Sequence, residues 1–204
     1  MLLNLENLKE KYNLKIKGVL HIGAHFGQEF VTYEKMGIKE VCFFEPIPET
    51  FKVLKSKVGE KAALINTAIG NIIGEVEMNV ETANQGQSSS ILEPVLHLRQ
   101  YPHIQFNKKV KVNITKLDTF IDDCEKYNFI NIDIQGYELE AFKGAKEYLK
   151  HIDYIMTEVN REEVYKNCPR VEELDDYLSQ FNFERVETTW DGVTWGDAFY
   201  IKNK

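Results

Sequence analysis

Gly18-Val19-Leu20-His21-Ile22-Gly23-Ala24-His25-Phe26-Gly27 is a short apolar run that breaks at two glycines four residues apart. An uninterrupted apolar stretch of this length, bounded by a turn, reads as a buried strand. The chain then enters a helix containing Phe30, Tyr33 and Met36, and Gly37 is a natural stop for it. A second strand, Val41-Cys42-Phe43-Phe44, ends at Glu45, and Pro46 and Pro48 open a helix whose apolar positions are Ile47, Phe51, Leu54 and Val58. Gly59 ends that helix in the same way. Strand, helix, strand and helix in succession imply right-handed crossovers and a parallel sheet covered by helices on both faces, an α/β architecture.

Working outward, Ala62 to Asn66 reads as the third strand. Glu75 to Val80 and Lys109 to Ile114 have strand character with turn residues between them, so residues of about 74–116 form an insertion and not a simple helix. Insertions of this kind are candidates for substrate contact. The alternation resumes with Phe129-Ile130-Asn131-Ile132, ending at Asp133, and a helix bearing Leu139, Phe142 and Ala145. Tyr154-Ile155-Met156-Thr157 is the next strand and ends at Glu158. A helix with Val171, Leu174 and Leu178 follows, then two strands near Phe183 to Glu187 and Ala198 to Ile201, joined as an antiparallel hairpin by a loop at Trp190 to Asp197. Leu5, Leu8 and Tyr12 recur at helical spacing, so residues of about 1–16 should form a helix that covers the sheet or a partner subunit, as in a homodimer. No repeat or linker divides residues 1–204, and one domain is expected.

The composition, 43% apolar and 28% charged, is that of a folding chain. With 32 acidic against 25 basic side chains the formal net charge is -7, which argues against a nucleic-acid partner. Lys108, Lys109 and Lys111 alternate with Val110, Val112 and Ile114 and read as the solvent face of a strand. Cys42, Cys124 and Cys168 are widely spaced and form no C-x-x-C pair, which fits a reducing compartment. No run approaches the ~18 apolar residues of a membrane helix. A soluble cytoplasmic protein without a transmembrane segment is the expectation.

In an open α/β sheet the ligand lies at the carboxyl ends of the strands, and the first strand-to-helix turn is its floor. Glu45, at the end of the second strand and 18 residues after Gly27, stands where an acidic side chain accepts hydrogen bonds from ribose hydroxyls. The Gly-x-Gly-x-x-Gly spacing expected for a pyrophosphate is absent, because Ala24 to Phe26 hold no glycine. A sulfonium cofactor has no phosphates and needs less backbone room, so the turn favours S-adenosylmethionine over a dinucleotide.

His21-Ile22-Gly23-Ala24-His25-Phe26-Gly27, Phe44-Glu45-Pro46, Gln87-Ser88-Ser89-Ser90 and the segment Asn131 to Glu140, with Asp133, Gly136, Glu138, Leu139 and Glu140 spaced as Asp-x-x-Gly-x-Glu-Leu-Glu, together resemble the FkbM family of S-adenosylmethionine-dependent methyltransferases. The resemblance runs from about Lys17 to Gly144 and resumes at Gly196-Asp197-Ala198. It implies a Rossmann-like class I methyltransferase sheet of seven strands, six parallel and the last antiparallel. It implies methyl transfer to a hydroxyl, often on a sugar of a glycan, antigen or natural product. Cofactor contacts would fall on His21, Gly23, Ala24, His25, Gly27, Glu45, Pro46, Ala68, Ser88, Ser89 and Asp133. Methyltransferases of this class usually carry an acidic residue where this chain has His21, and a neutral imidazole lacks the charge to hold the cofactor's ammonium. Binding through water or backbone, and a mere strand-end role for His21, both stay open.

Methyl transfer to an alcohol needs alignment and a base for the hydroxyl proton. Asp133 and Glu158, at the ends of neighbouring strands, are the candidate catalytic pair, with Gln135, Tyr137 and Glu138 on the substrate. His25 and the tryptophans Trp190 and Trp195 are further candidates for lining a sugar site. The competing structural roles are a helix cap for Asp133, a lysine partner for Glu158, a polar turn for the serines and packing for the tryptophans. Acidic strand ends also suit a divalent cation, yet no His/carboxylate motif assigns a metal. An NAD-linked oxidoreductase and a non-catalytic cofactor-binding module of the same fold are the alternative functions.

Overall fold

The computed structural model describes residues 2–203. In chain order its regular elements begin with α1 (Leu5–Tyr12), β1 (Gly18–Ile22), α2 (Phe30–Lys35), β2 (Glu40–Phe44), α3 (Pro48–Val58) and β3 (Ala63–Ile65). The middle of the chain holds β4 (Ala68–Ile69), β5 (Gly74–Val80), α4 (Leu96–Gln100) and β6 (Lys108–Thr115). The last part holds β7 (Phe129–Ile132), α5 (Glu138–Lys143), β8 (Tyr154–Asn160), α6 (Val171–Ser179), β9 (Phe183–Asp191) and β10 (Trp195–Lys202).

Seven strands form one sheet in the order β3-β2-β1-β7-β8-β10-β9. The five strands from β3 to β8 pair in parallel, and β10 runs antiparallel to both β8 and β9. The parallel part is what the strand-helix alternation implied, and the seven strands with one antiparallel are what the family resemblance implied. The order reverses between β1 and β7, which opens a crevice beyond their carboxyl ends. A second sheet, β4-β6-β5, carries the antiparallel pair of the insertion.

The sheet is buried on both faces because its strands alternate two sets of apolar side chains. Val19, Val41, Phe43 and Phe129 pack with Leu5 and Leu8 of α1, Phe30 and Tyr33 of α2, and Leu54 and Val58 of α3. Leu20, Ile22, Phe44, Ile130 and Ile132 face the other way, onto Ala141 and Phe142 of α5 and Leu174 and Leu178 of α6. Phe43 is fully buried with its ring 5.3 to 6.2 Å from those of His21, Phe30 and Tyr33. Its truncation to alanine should cost about 3–5 kcal/mol.

Local signals set the helix ends, at Pro48 and Gly59 as expected and at Asn4 without a prior reading. Asn4 caps α1 by accepting from the Asn7 N–H at 2.9 Å, Pro48 opens α3, and Gly59 closes it with φ 63°. Lys108, Lys109 and Lys111 are exposed, and Lys109 pairs with Glu77 at 2.9 Å, so the basic cluster is a solvated strand face. No helix among the described residues is long and apolar enough to cross a membrane.

Three local expectations need correction. Strand β8 does not stop at Glu158 but continues to Asn160, because β10 pairs with its whole length. The supposed loop at Trp190 to Asp197 is mostly strand, the two ladders being joined by Gly192 to Thr194 alone. Ala145 lies beyond the end of α5, buried in the core.

Candidate functional site

Two adjoining cavities open at the carboxyl ends of β1, β2 and β7. The smaller is a largely apolar slot between Ile22, Phe44, Ile47, Ile69, Met78 and Ile134, with Glu45, Pro46, Ala68, Ser89 and Tyr137 at its edge. The larger, about 540 Å³, is polar and is lined by His21, Ala24, Ser88 and Glu158 together with Gln28, Glu29, His97, Tyr101, Asp191 and Trp195. Gly23, His25, Gln87, Asp133 and Gln135 line both and form the wall where the two meet.

The floor of the slot is built by the turn after β1. Both Gly23 and Ala24 donate their N–H groups to the Phe44 carbonyl at 3.0 Å, which ties the turn to β2. Glu45 is buried, and its two carboxylate oxygens accept the His25 N–H at 2.9 Å and the Ile47 N–H at 2.8 Å. Burial nonetheless pushes this carboxyl up to about 7, since two backbone donors do not replace the hydration it has lost. A buried carboxylate with one backbone donor on each oxygen thus stands at the mouth of an apolar slot.

Each of the two glycines also answers to a packing constraint that the motif does not show. A Cβ on Gly23, which has φ 84°, would lie 2.0 Å from the Asp133 carbonyl oxygen, so glycine here allows β1 and β7 to approach. A Cβ on Gly27 would meet Leu54 and Val58 of α3. Gly27 therefore seats the turn against a helix and lies outside both cavities.

Segment 84–90 folds over the junction and is held at both ends. Glu81 accepts from the N–H groups of Ala83, Asn84 and Gly86, which shapes the segment. The His25 ring accepts from Gln28 at Nδ1 and donates from Nε2 to the Gln85 carbonyl at 2.8 Å. On the other side the Ser90 hydroxyl donates to the Gln135 carbonyl at 2.7 Å, and the Tyr165 hydroxyl approaches the Ser88 carbonyl at 2.9 Å. Ser88, Ser89 and Ser90 are thus part of a tethered cover and not a free turn.

Beneath that cover lies a hydrogen-bonded acid pair. The Gln135 side-chain amide donates to Asp133 Oδ1 at 2.8 Å and to Glu158 Oε2 at 2.7 Å, while its oxygen faces the Tyr165 hydroxyl at 2.8 Å. Glu158 is held well above the usual carboxylate range by its burial and by the negative charges of Asp133, Glu138 and Asp197 around it. Asp133 does not cap the following helix, whose cap position is Tyr137, and among the described residues Glu158 has no lysine partner. Glu138, placed on the substrate by the motif, is instead fully buried behind the site, where it accepts the Ile134 and Gly136 N–H groups and braces the strand-end loop.

His21 closes the β1 side of the larger cavity. Asn131 Nδ2 donates to the Tyr33 hydroxyl at 2.7 Å, and that hydroxyl donates to His21 Nδ1 at 3.0 Å. Burial lowers the basicity of the ring, which is neutral with its proton on Nε2. The tryptophans divide. Trp195 lines the cavity and donates from Nε1 to the Tyr101 hydroxyl at 3.1 Å, whereas Trp190 packs against the core with the Arg161 guanidinium 3.8 Å over its ring.

Several lining residues had no signal in the sequence. Gln28 and Glu29 follow the glycine turn at unremarkable positions, and His97, Tyr101 and Val164 come from α4, from the residue after it and from the loop after β8. An aromatic or histidine in an insertion looks the same whether it packs or lines a site. Among the described residues no group of three or more His, Cys, Asp or Glu side chains is arranged to hold a metal ion.

Comparison with known proteins gives the lineage and the fold. The chain matches the methyltransferase FkbM domain over residues 21–185. It is 25% identical over 173 residues to the 2-O-methyltransferase NoeI of Sinorhizobium fredii (strain NBRC 101917 / NGR234), covering 80% of this chain and 71% of that protein. Among solved structures, an S-adenosylmethionine-dependent methyltransferase from Clostridium acetobutylicum ATCC 824 superposes with a TM-score of 0.54 at 10% identity, over 98% of this chain and 89% of the other. The Burkholderia thailandensis 1,6-didemethyltoxoflavin-N1-methyltransferase, solved with 1,6-didemethyltoxoflavin and S-adenosylhomocysteine bound, gives 0.51 at 12% identity, over 98% and 76%. At such identities the structural likeness speaks for the fold, and the match across residues 21–185 speaks for the lineage: the chain belongs to the FkbM methyltransferase family.

Proposed function

We propose that this protein transfers a methyl group from S-adenosylmethionine to a hydroxyl of a sugar or glycan-type acceptor. The observation that carries the reading is the shared wall. Asp133 and Gln135 line both the slot suited to an adenosine and the polar cavity suited to an acceptor, so a base stands where the two ligands would meet. The name of the NoeI relative, a 2-O-methyltransferase, supports oxygen as the methylated atom.

When bound, S-adenosylmethionine supplies a methyl group already activated by positive sulfur. The chain's residues supply the rest. Glu45 accepts from the ribose hydroxyls, and Ala68 and Pro46 border the nucleoside. Asp133 would accept the proton of the acceptor hydroxyl, and Glu158, linked to it through Gln135, would share that proton, while the methyl–sulfur bond gives way to the new methyl–oxygen bond and S-adenosylhomocysteine is left. The cover formed by 84–90 keeps water from the junction. Tyr101 and Trp195 offer aromatic faces to a pyranose ring, whose hydroxyls meet His97, Asp191 and Gln28.

The test is thermal melting with S-adenosylmethionine, S-adenosylhomocysteine and NAD, followed by a sugar panel assayed for S-adenosylhomocysteine release. Stabilisation by the first two and turnover on a sugar is the expected result. Protection by NAD alone would sink the cofactor assignment, and cofactor binding with no turnover on any hydroxyl would support the non-catalytic module.

A further inference from the structure

A carboxylate on the β1 side of the larger cavity takes no part in the chemistry described so far. Glu29, immediately before α2, is half-buried and lines that cavity beside His21, Gly23 and Ala24. No lysine or arginine lines the cavity, and among the described residues nothing pairs with the Glu29 carboxylate. Its charge reaches His21, where it works against the burial that keeps the ring neutral. The amino-acid end of S-adenosylmethionine carries an ammonium group, and a neutral imidazole donating from Nε2 offers that group no counter-charge.

The other carboxylates around the cavity are differently engaged. Asp133, whose charge also reaches His21, and Glu158 are both bonded to Gln135, and Asp191 is exposed on β9 at the rim. Glu29 alone combines accessibility, a free carboxylate and a place next to His21, on the side of the junction that continues from the ribose-binding turn. An ammonium held there stays partly shielded from water, which strengthens the attraction over that of an exposed pair.

We infer that Glu29 binds the ammonium group of the cofactor's amino-acid end, supplying from the start of α2 the charge that His21 does not supply from β1. This rests on the assignment of S-adenosylmethionine as cofactor. The variant Glu29→Gln keeps the shape of the side chain and removes its charge. Calorimetric titration should compare S-adenosylhomocysteine with 5′-methylthioadenosine, which shares the adenosine and sulfur but has no amino-acid end. Glu29→Gln should weaken S-adenosylhomocysteine by about 10- to 100-fold, the range of one charge-assisted bond, and leave 5′-methylthioadenosine within about twofold. Glu29→Asp should recover part of the loss. Unchanged affinity for S-adenosylhomocysteine in Glu29→Gln overturns the inference, and so does an equal loss for both ligands. Failure of the wild-type chain to bind S-adenosylhomocysteine at all overturns the cofactor assignment, and this inference with it.

Discussion

Glu158 of β8 and Asp197 of β10 are direct partners in the antiparallel ladder, and both carboxyl groups are buried. Asp197 Oδ2 accepts the backbone N–H groups of Leu2 and Leu3, so the start of the chain is fastened to the strand beside the acid pair. Its other oxygen, Oδ1, has no partner among the described residues. Two acids facing each other in the interior are stable only while protons are shared among them.

Stability should therefore fall as pH rises from about 6.5 to 8. Burial raises Glu45 and Glu138 to about 7 and Glu158 well above its ordinary value, so the folded chain binds more protons than the unfolded one in this window, while Asp197, raised only to about 6, gives up its share below it. Stability from a raised acid is complete below its unfolded pKa and is lost as pH passes the folded one. His21 and His97 are lowered and act in the opposite sense, but that contribution is confined to lower pH, where the unfolded imidazoles become charged. A loss of about 1–3 kcal/mol, or roughly 3–10 °C in Tm, is expected without cofactor. Glu158→Gln should shrink the drop, and a Tm that climbs over this interval contradicts the assignment.

Asp133→Asn should abolish most turnover while leaving the site assembled. The amide oxygen still accepts the Gln135 hydrogen bond seen at 2.8 Å, but it no longer takes a proton. Loss of a general base lowers kcat by about 10²–10⁴-fold. The Kd for S-adenosylhomocysteine should stay within a few-fold of wild type, and full turnover would remove Asp133 from the role of base.

Cofactor affinity should strengthen as pH rises through about 7. Glu45 sits near 7 in the free protein, and only its ionised form accepts from both ribose hydroxyls at full strength. Binding thus favours the carboxylate and releases a proton. Titration in buffers of different ionisation enthalpy should detect that release. Glu45→Gln should weaken S-adenosylhomocysteine about tenfold or more and flatten the pH dependence. Affinity that weakens over the same interval would argue against Glu45 as the ribose acceptor.

Gly23→Ala and Gly27→Ala should differ sharply. At Gly23 the new methyl meets a backbone carbonyl that cannot move without separating β1 from β7, so loss of the folded state, about 3 kcal/mol or more, is expected. At Gly27 it meets the flexible end of Leu54, and the strain of φ 70° dominates, about 1–2 kcal/mol. Denaturant melts give both costs. Because Gly27 lies outside the cavities, its alanine variant should bind S-adenosylhomocysteine with affinity close to wild type.

Much of the fold was legible because its signals are local. The apolar run Gly18 to Ile22, the helix spacing of Phe51, Leu54 and Val58, and the stops at Gly37 and Gly59 each depend on residues a few positions apart. Glu45 and Asp133 were also legible, since a carboxylate just past a buried strand lies on the carboxyl rim in any parallel sheet. Glu158 was placed on the correct strand but at its end, because pairing with β10 extends β8 and leaves no trace in the spacing of Tyr154 to Thr157.

The sequence by itself determined the order of elements, the parallel sheet and the glycine turn with its acid, all set by backbone propensity and apolar periodicity. Only the tertiary structure decided what the turn is for. Gly23 accommodates a carbonyl of β7, Gly27 accommodates α3, and the site proper is closed by His25 with Gln85, Gln135 with Glu158, and Tyr165 with Ser88. These partners lie 23 to 77 residues apart in the chain. Their meeting depends on how layers pack, a property of the whole sheet that no local pattern encodes.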